Sequence, residues 1–350
     1  GEAKWLRMVS QPTTATAGVT MSPLVVEVTD ANGNRVTTGF YSSRSITVFG
    51  TYQGATVIGT KSVSLSAGVA TFNDIAATFG AGQNITVGIQ VSGINHVFYS
   101  QNIFLSANVG YQLSLDSTTA INRTAGQAQT SDYLLRLKDA YGNQTSSSST
   151  VSIVVTAVSA SDGVTVQRTV GSYTISPSST FVIIPKNVFF VQQSGDYKFS
   201  FSSSGLVTAY TSQFTVTNAG AEKLVILQNM PASVQSGITF SPTVRLQLQD
   251  AYNNPVLNAT VSVSVSAIAG SVTGISGGVA QNTLGDSIIE FPDLAIDGVS
   301  SSAQLRFTAA SPGNAVHTKI YSSTTFRITA GDPYQLSVSA TAISVANRTS

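Results

Sequence analysis

The sequence predicts an all-β protein made of three β-sandwich domains arranged end to end, followed by the first strand of a fourth. Two observations carry this prediction. A short acidic motif recurs in the 350 residues at a spacing typical of one sandwich domain. Between its copies run short segments in which apolar and polar residues alternate, which is the pattern of half-buried strands.

The repeated motif begins with Asp-Ala and ends in Asn. It reads Asp-Ala-Asn-Gly-Asn at 30–34, Asp-Ala-Tyr-Gly-Asn at 139–143 and Asp-Ala-Tyr-Asn-Asn at 250–254, so the copies are 109 and 111 residues apart. We therefore place the repeats at 1–108, 109–218 and 219–331. Residues 332–350 are then the first strand of a fourth repeat or a strand donated to a neighbouring subunit.

The elements of each repeat follow in the same order. An alternating opening strand is predicted at 5–9, 111–115 and 223–227, and each is followed by a small turn that ends in Gly18, Gly126 or Gly237. A second alternating strand leads into the motif, most clearly at 134–138 and 244–249. One face of these strands is expected to lie in the core and the other in solvent.

Three further strands are predicted after each motif. The first of them lies at 45–48, 151–155 and 261–265, a late strand at 85–89, 197–201 and 305–309, and the last strand at 103–105, 214–216 and 326–328. About seven short strands without a helical period are typical of an immunoglobulin-like sandwich. The predicted fold class is therefore all-β, with tandem immunoglobulin-like domains.

Composition excludes several classes of function. The 17 Lys and Arg nearly balance the 16 Asp and Glu, which disfavours a nucleic acid or an anionic membrane as partner. Cysteine is absent, so disulfides, thiolate metal sites and a cysteine nucleophile are excluded. No apolar run of about 18 residues occurs, so no membrane span is expected in this segment.

No enzyme is predicted, and no cofactor. The two histidines, His96 and His317, fall at non-equivalent positions, and no glycine-rich nucleotide loop is present. The motif at 30–34 has oxygen ligands at alternate positions like a calcium loop, but Tyr41 stands where the bidentate Glu belongs. We interpret the motif as a turn closed by its Asp side chain, with weak calcium binding at the joints as the alternative.

The third copy of the motif carries a resemblance to a known family. The run Asp-Ala-Tyr-Asn-Asn-Pro-Val-Leu-Asn-Ala-Thr-Val-Ser-Val at 250–263 resembles the bacterial immunoglobulin-like repeats of the invasin and intimin type, and 30–36 fits with Arg35 in place of the proline. The resemblance covers all three repeats. It implies a rigid extracellular or cell-surface stalk in which no catalytic residue belongs to the family pattern.

The links between repeats and the end of the sequence suggest how the protein assembles. The links at 106–110, 217–220 and 329–333 are short, which favours a stiff rod. The segment after 332 copies the opening strand of a repeat, and its apolar side chains are Tyr334, Leu336, Val338, Ile343 and Val345. Either further repeats of the same polypeptide follow, or this segment adds as a strand to a neighbouring copy and builds a head-to-tail fibre.

The sequence also predicts covalent glycans. The acceptor pattern Asn-x-Ser/Thr occurs at Asn84, Asn122, Asn143, Asn258 and Asn347. Together these features predict a structural subunit of an extracellular, glycosylated fibre or surface stalk. The alternative is a ligand-binding adhesin module that recognises a host protein or a carbohydrate.

Overall fold

The structure is a computed structural model that describes residues 1–50, 56–92, 97–163, 166–228, 230–283, 285–310 and 320–332. His96, His317, Asn347 and the proposed donor strand with Tyr334, Leu336, Val338, Ile343 and Val345 lie outside the described residues. Within the described ranges the chain forms β-strands and one short 3₁₀ helix, Phe40–Ser43, and no α-helix. The all-β prediction is therefore confirmed.

The first predicted repeat contains twelve of the described strands. They are β1 (Trp5–Ser10), β2 (Thr14–Thr16), β3 (Leu24–Thr29), β4 (Ser45–Gly50), β5 (Val57–Ile58), β6 (Ser62–Ser64), β7 (Val69–Phe72), β8 (Ala76–Ala77), β9 (Gln83–Ile85), β10 (Val87–Val91), β11 (Val97–Tyr99) and β12 (Ile103–Ser106). The sheet orders are β1–β3–β7, β11–β10–β4–β6, β2–β12–β9 and β5–β8.

The second predicted repeat contains the next nine strands. They are β13 (Gln112–Leu115), β14 (Arg123–Thr124), β15 (Tyr133–Lys138), β16 (Val151–Ser159), β17 (Val166–Ile175), β18 (Phe181–Ile184), β19 (Gly195–Ser202), β20 (Ala209–Tyr210) and β21 (Phe214–Thr217). The sheet orders are β13–β15–β18 and β14–β21–β19–β16–β17, with β20 paired to β19.

The third predicted repeat contains the remaining described strands. They are β22 (Lys223–Ile226), β23 (Ser233–Gln235), β24 (Val244–Gln249), β25 (Ser262–Ala269), β26 (Val272–Ser276), β27 (Val279–Gln281), β28 (Ile288–Phe291), β29 (Ala295–Gly298), β30 (Ser300–Ala310), β31 (Ile320–Ser322) and β32 (Phe326–Thr329). The sheet orders are β22–β24–β28, β23–β32–β30–β25–β27 with β31 on β30, and β26–β29.

The strand order is that of an immunoglobulin-like sandwich. In each repeat the opening strand pairs antiparallel with the second long strand, as β22 does with β24. The short strand that follows the opening strand crosses to the other sheet and pairs parallel with the last strand, as β23 does with β32. In the second and third repeats the last strand, the late strand and the strand after the motif then form the second sheet, which is the order expected of this fold. In the first repeat the late strand is divided between β9, which pairs with β12, and β10, which pairs with β4.

The chain divides into two compact units. The first consists of residues 1–122, 127–191 and 196–215, and the second consists of residues 123–126, 192–195 and 216–350. The first unit thus holds the first repeat and most of the second, and each described sheet draws its strands from one predicted repeat. The domain boundaries at 108/109 and 218/219 stay a prediction.

The core is built from the apolar side of the alternating strands. In β24 the side chains of Val244, Leu246 and Leu248 are buried, while the residues between them are partly exposed. In the same unit Phe291 and Phe307 pack with ring centroids 5.6 Å apart at an interplanar angle of 64°. Burial of such side chains provides the main stabilisation of a sandwich that has no disulfides.

Candidate functional site

The Asp-Ala loop, residues 30–34, 139–143 and 250–254, is organised by the side chain of its first residue. Asp139 Oδ1 accepts hydrogen bonds of 2.9 Å from the backbone N–H groups of Tyr141 and Asn143. The Asp at position 250 accepts the same two bonds at 2.8 and 2.9 Å, and the Asp at position 30 accepts both at 2.9 Å. The loop is therefore a turn closed by its Asp side chain, as the sequence predicts.

The fourth residue of each loop has a left-handed backbone. The φ angle is 80° at Gly33, 83° at Gly142 and 71° at Asn253. Glycine adopts this conformation without a steric cost, and Asn is among the residues that tolerate it best. The third copy therefore keeps the same turn although its fourth residue is no longer glycine.

The second carboxylate oxygen ties the loop to the residues that lead into the opening strand of its repeat. Asp139 Oδ2 accepts from the backbone N–H of Asn108 at 3.0 Å, and Asp250 Oδ2 accepts from that of Ala219 at 2.9 Å. In the first repeat the amino group of Gly1 lies 3.5 Å from Asp30 Oδ2. The three nitrogens stand five residues before the matched leucine of each opening strand, so the same link occurs three times.

The last residue of the loop connects two repeats within the first unit. Asn143 is buried, and its Nδ2 donates a hydrogen bond of 2.8 Å to the carbonyl oxygen of Thr78. Its Oδ1 accepts from the backbone N–H groups of Gly80 and Ala81, both at 3.2 Å. The loop of the second repeat is thereby hydrogen-bonded to the first repeat.

A similar pair of bonds, one donated and one accepted, recurs within the second unit. Asn254 is buried, its Nδ2 donates to the carbonyl oxygen of Gln192 at 2.7 Å, and its Oδ1 accepts from the N–H of Ser194 at 2.8 Å. In the first repeat, by contrast, Asn34 is exposed, and among the described residues its side chain bonds only to Asp30, at 3.3 Å.

In the second and third copies of the loop the third residue is a tyrosine, and its ring covers a glycine of the preceding repeat. A β-carbon added to Gly18 would collide with the ring of Tyr141, and one added to Gly126 would collide with the ring of Tyr252. Both glycines also have a positive φ, 71° and 79°. Any other residue would therefore be strained at these positions and would displace the tyrosine ring. The tyrosine and the last Asn of the loop thus contact the same preceding repeat.

Hydrogen bonding lowers the pKa of the Asp side chain in the first and third copies of the loop. Burial of Asp250 raises the pKa of its carboxyl group, but this effect is outweighed by the hydrogen bonds from the side chain of Asn254 and from backbone N–H groups, of which that of Ala219 contributes most. The pKa of Asp250 therefore lies below its ordinary value. The pKa of Asp30 is also lowered, first by the backbone N–H of Asn34. Both carboxyl groups are accordingly ionised at neutral pH.

The sequence-predicted glycan acceptors differ in exposure and in hydrogen bonding. Asn84, Asn122 and Asn258 are exposed, and the last two use Oδ1 to accept bonds of 2.8 and 2.7 Å from Thr215 N and Asn218 Nδ2. Asn143 differs, because both hydrogens of its Nδ2 are used, one on Thr78 O and one on Asp139 Oδ2. The buried joint position disfavours Asn143 as an acceptor, and glycosylation at the other positions stays a prediction.

Two other kinds of feature are absent from the described part of the chain. No group of three or more His, Asp or Glu side chains within these ranges is arranged to hold a metal ion. No helix in the same ranges has the length and apolar character needed to cross a membrane.

Sequence reasoning missed the contact made by Asn143 and Asn254. The signal was present, because Asp, Ala and the last Asn are the residues that all three copies of the loop share. An Asp that closes the turn accounts for the first position alone. The unchanged Asn needed a second explanation, which the joint contacts provide.

No family model matches the sequence, and no curated protein matches it either. Among solved structures, domains 4–9 of the surface layer protein SbsC are 17% identical, with 94% of this chain and 48% of that chain covered and a TM-score of 0.21. The D0-D1 domain of intimin is 10% identical, with 61% and 98% covered and a TM-score of 0.22. Extracellular domains 3–5 of Drosophila OTK are 12% identical, with 93% and 97% covered and a TM-score of 0.22.

These likenesses add nothing to the functional argument at such low identities and TM-scores. The chain spans about half the length of the SbsC fragment. The immunoglobulin-like fold follows from the order of the sheets in the structure itself. Membership of the invasin and intimin type family stays a prediction.

Proposed function

We propose that this chain is a noncatalytic segment of an extracellular structural or adhesive stalk, in which the Asp-Ala loop fixes one β-sandwich repeat against the next. The observation that carries the proposal is the buried side chain of Asn143, which bonds to Thr78, Gly80 and Ala81 of the preceding repeat. A buried side chain that bonds to three backbone groups of the preceding repeat supports a joint between the two repeats.

The energetics of the joint favour a restricted hinge. A hydrogen bond within a protein contributes a net stabilisation of about 0.5 to 1.5 kcal/mol, and a buried group left without its partner costs about 1 to 3 kcal/mol. Bending the joint in the first unit would break the hydrogen bonds from Asn143 to the carbonyl of Thr78 and to the N–H groups of Gly80 and Ala81. It would also separate the ring of Tyr141 from Gly18. The same bending would also strain the bond between Asn108 N and Asp139 Oδ2.

The finer features of the stalk are part of the proposal. The extracellular or cell-surface location is inferred from the resemblance to invasin-type repeats and from a sequence rich in Ser, Thr and Asn with only 9% charged residues. Glycans at Asn84, Asn122 and Asn258, and strand addition by residues 333–350 to a neighbouring copy, are proposed from the sequence pattern.

A distance measurement across the joint of the first unit tests the proposal. The chain has no cysteine, so the exposed Thr71 and Thr174 can be changed to Cys and spin-labelled cleanly. We expect pulsed electron paramagnetic resonance to give one narrow distribution of distances between the two labels. Asn143→Ala should broaden this distribution, and Asn34→Ala should leave it unchanged. A broad distribution in the unmodified chain, or an equal effect of the two changes, would overturn the proposal.

A second candidate function, ligand recognition by the first repeat, is favoured by one open groove. It has a volume of about 470 Å³ and is lined by β1 and by Phe98 and Tyr99, and Trp5 and Tyr99 on its rim are 53% and 55% exposed. Exposed Trp and Tyr side chains are enriched where proteins bind partners. A glycan array probed with the chain and with its Trp5→Ala variant tests this function, which is wrong if binding is absent or does not depend on Trp5.

A further inference from the structure

An extra strand covers one sheet edge in the first and third repeats. In the first repeat β8 pairs antiparallel with β5, and in the third repeat β29 pairs antiparallel with β26. Both extra strands, β5 and β26, follow the strand after the motif in chain order. The backbones of Ala76 in β8 and Ala295 in β29 are thus paired on this side within their own repeat.

A glycine with a left-handed backbone ends each extra strand. Gly59 follows β5 with a φ angle of 104°, and Gly277 follows β26 with a φ angle of 62°. A β-carbon added to these glycines would lie 2.3 Å from the carbonyl oxygen of Asp74 and 2.2 Å from that of Asp293. After the glycine the chain forms β6 or β27, which pairs with the strand after the motif. The extra strand therefore depends on a residue that tolerates a positive φ.

The second repeat has no such turn. Its Val155 pairs with Gly171, and the two residues before that glycine are Thr169 and Val170. A positive φ is a strong outlier for a β-branched residue, and neither of these two residues nor Gly171 has one. The strand β17 therefore stays paired with β16, and no described strand of this repeat takes the place of β5 or β26.

Phe190 of the second repeat stands at the position of Ala295 in the third. Phe190 forms an isolated antiparallel bridge with Ala128, and Ala295 forms one with Thr239. Ala128 and Thr239 each lie two residues after the turn glycine of their repeat. On its other side Ala295 pairs with β26, whereas the backbone N–H and carbonyl of Phe190 bond to none of the residues that the structure describes.

The side chains at this edge of the second repeat are apolar. Phe190 and Val188 are 36% and 43% exposed, whereas Ala295 is buried. Ile183, the third residue of the edge strand β18, is 54% exposed, and the third residue of the matched strand β28 is the charged Glu290. Charged side chains on an edge disfavour the addition of a strand, and the second repeat lacks one at this position. An unpaired backbone beside exposed apolar side chains is therefore a surface to which a further strand can add.

We propose that the segment 188–191 of the second repeat binds an extended, uncharged strand of a partner protein. The strand pairs antiparallel with this segment, as β5 and β26 pair within the other repeats, and the N–H and carbonyl of Phe190 bond to its backbone. It carries aliphatic side chains, because it contacts Val188 and Phe190 and because β5 and β26 consist of Val, Ile, Thr, Gly and Ser. The proposal goes beyond the proposed function, since it uses no contact of the joints.

Disulfide trapping in the full chain, which has no cysteine of its own, tests this binding. The probe is a peptide with the sequence of residues 271–277, which includes β26, followed by a cysteine activated as a mixed disulfide. Val188→Cys lies at the open edge, and Asp293→Cys lies at the matched position of the third repeat, where β26 already covers the edge. Binding raises the local concentration of the peptide, so we expect Val188→Cys to react at least about tenfold faster than Asp293→Cys, each relative to a scrambled peptide. Equal ratios would overturn the proposal.

A proline in the probe separates strand pairing from nonspecific apolar contact. Ser276 pairs with Ala295 in the third repeat, so in the peptide it is the residue that faces Phe190. Ser276→Pro in the peptide removes the N–H that would bond to the carbonyl of Phe190, and we expect it to reduce the rate at Val188→Cys by about tenfold. An unchanged rate would contradict the proposal, because the peptide would then not add as a strand.

Amide NMR of the unmodified chain gives a readout without cysteine. The peptide without its cysteine should shift the amide signal of Phe190 and leave that of Ala295, whose edge is covered, unchanged. Shifts of equal size at both residues, or no shift at a peptide concentration of about 1 mM, would overturn the proposal. The spin-label experiment concerns the joint at Asn143, so either proposal can fail without the other.

Discussion

The Nδ2 atom of Asn143 donates a hydrogen bond of 2.8 Å to the carbonyl oxygen of Thr78, a residue 65 positions earlier in the chain. The same nitrogen donates to Asp139 Oδ2 at 2.9 Å, so both of its hydrogens are used. Because Asn143 is buried, water cannot replace these bonds at low cost. One side chain therefore couples the stability of its own loop to that of the preceding repeat.

Replacing this side chain should destabilise the first unit. Asn143→Ala leaves the buried carbonyl of Thr78 and the N–H groups of Gly80 and Ala81 without their partner. We expect the free energy of unfolding to fall by about 1 to 3 kcal/mol. Urea denaturation measures this change, and hydrogen exchange should show loss of protection at Gly80 and Ala81.

Asn34→Ala is the matched control for that change. Asn34 makes the same bond to the Asp of its loop, at 3.3 Å, but it is exposed. Its replacement should cost less than about 1 kcal/mol, because only one exposed bond is lost. If the two variants are destabilised equally, the stabilisation lies within the loop and the bonds across the joint contribute nothing.

The contact between Gly18 and Tyr141 should resist any β-carbon. Gly18→Ala meets the tyrosine ring and also a φ angle of 71°, whereas Gly33→Ala meets only an unfavourable φ of 80° with open space around it. A left-handed conformation costs a non-glycine residue about 1 to 2 kcal/mol. We therefore expect Gly33→Ala to cost about this amount and Gly18→Ala clearly more, measured by urea denaturation.

A double variant separates the cost of the left-handed backbone at Gly18 from the cost of the collision with the Tyr141 ring. In the Tyr141→Ala background the ring is gone, so Gly18→Ala should cost no more than Gly33→Ala. If Gly18→Ala costs the same with and without the ring, Tyr141 does not cover this glycine in solution.

The stability of the second unit should depend on acid through Asp250. Its folded pKa lies below the value of 3.8, so the native state binds protons less readily than the unfolded state. The stabilisation is therefore fully present above about pH 4 and is lost as the pH falls through the folded pKa. Asp250→Asn should be less stable than the unmodified chain at pH 7, and the difference should shrink as the pH falls below about 4.

Urea denaturation at several pH values measures this dependence. Asp293→Asn, which changes an exposed carboxylate of the same unit, serves as the control and should follow the unmodified chain at pH 7. A constant difference between Asp250→Asn and the unmodified chain at all pH values would show that the carboxylate has no special role in this loop.

Much of the fold follows from the sequence because the strands are amphipathic. The alternation at 244–249 predicts β24 with its bounds and its buried face, since Val244, Leu246 and Leu248 point to one side. The strand predicted at 85–89 is instead divided into β9 and β10. The reason is local, because the N–H of Val87 bonds to Ser100 Oγ at 2.9 Å, and the chain changes its strand partner there.

Other features of the structure could not be predicted from the periodicity of single strands. The strand β17 at Val166–Ile175 was not predicted, and its pairing with β16 shifts register next to Gly171, which interrupts the alternation. The joint contacts of Asn143 and Asn254 link residues about 60 positions apart. Periodicity reports which face of a strand is buried, whereas such contacts depend on how one repeat meets another.

Glycosylation gives the last prediction. Transfer of a glycan replaces one hydrogen of the Asn amide and needs access to it. Asn143 uses both hydrogens inside a buried joint, while Asn84, Asn122 and Asn258 are exposed. In glycoprotein made in cells that attach glycans at this motif, we expect peptide mapping by mass spectrometry to find Asn143 unmodified and sugar at one or more of the exposed positions. Asn34→Ala, which leaves every acceptor intact, should give the same map. A glycan at Asn143 would mean that the joint of the first unit forms only after modification or opens readily. The proposal that the Asn143 side chain fixes this joint would then be wrong.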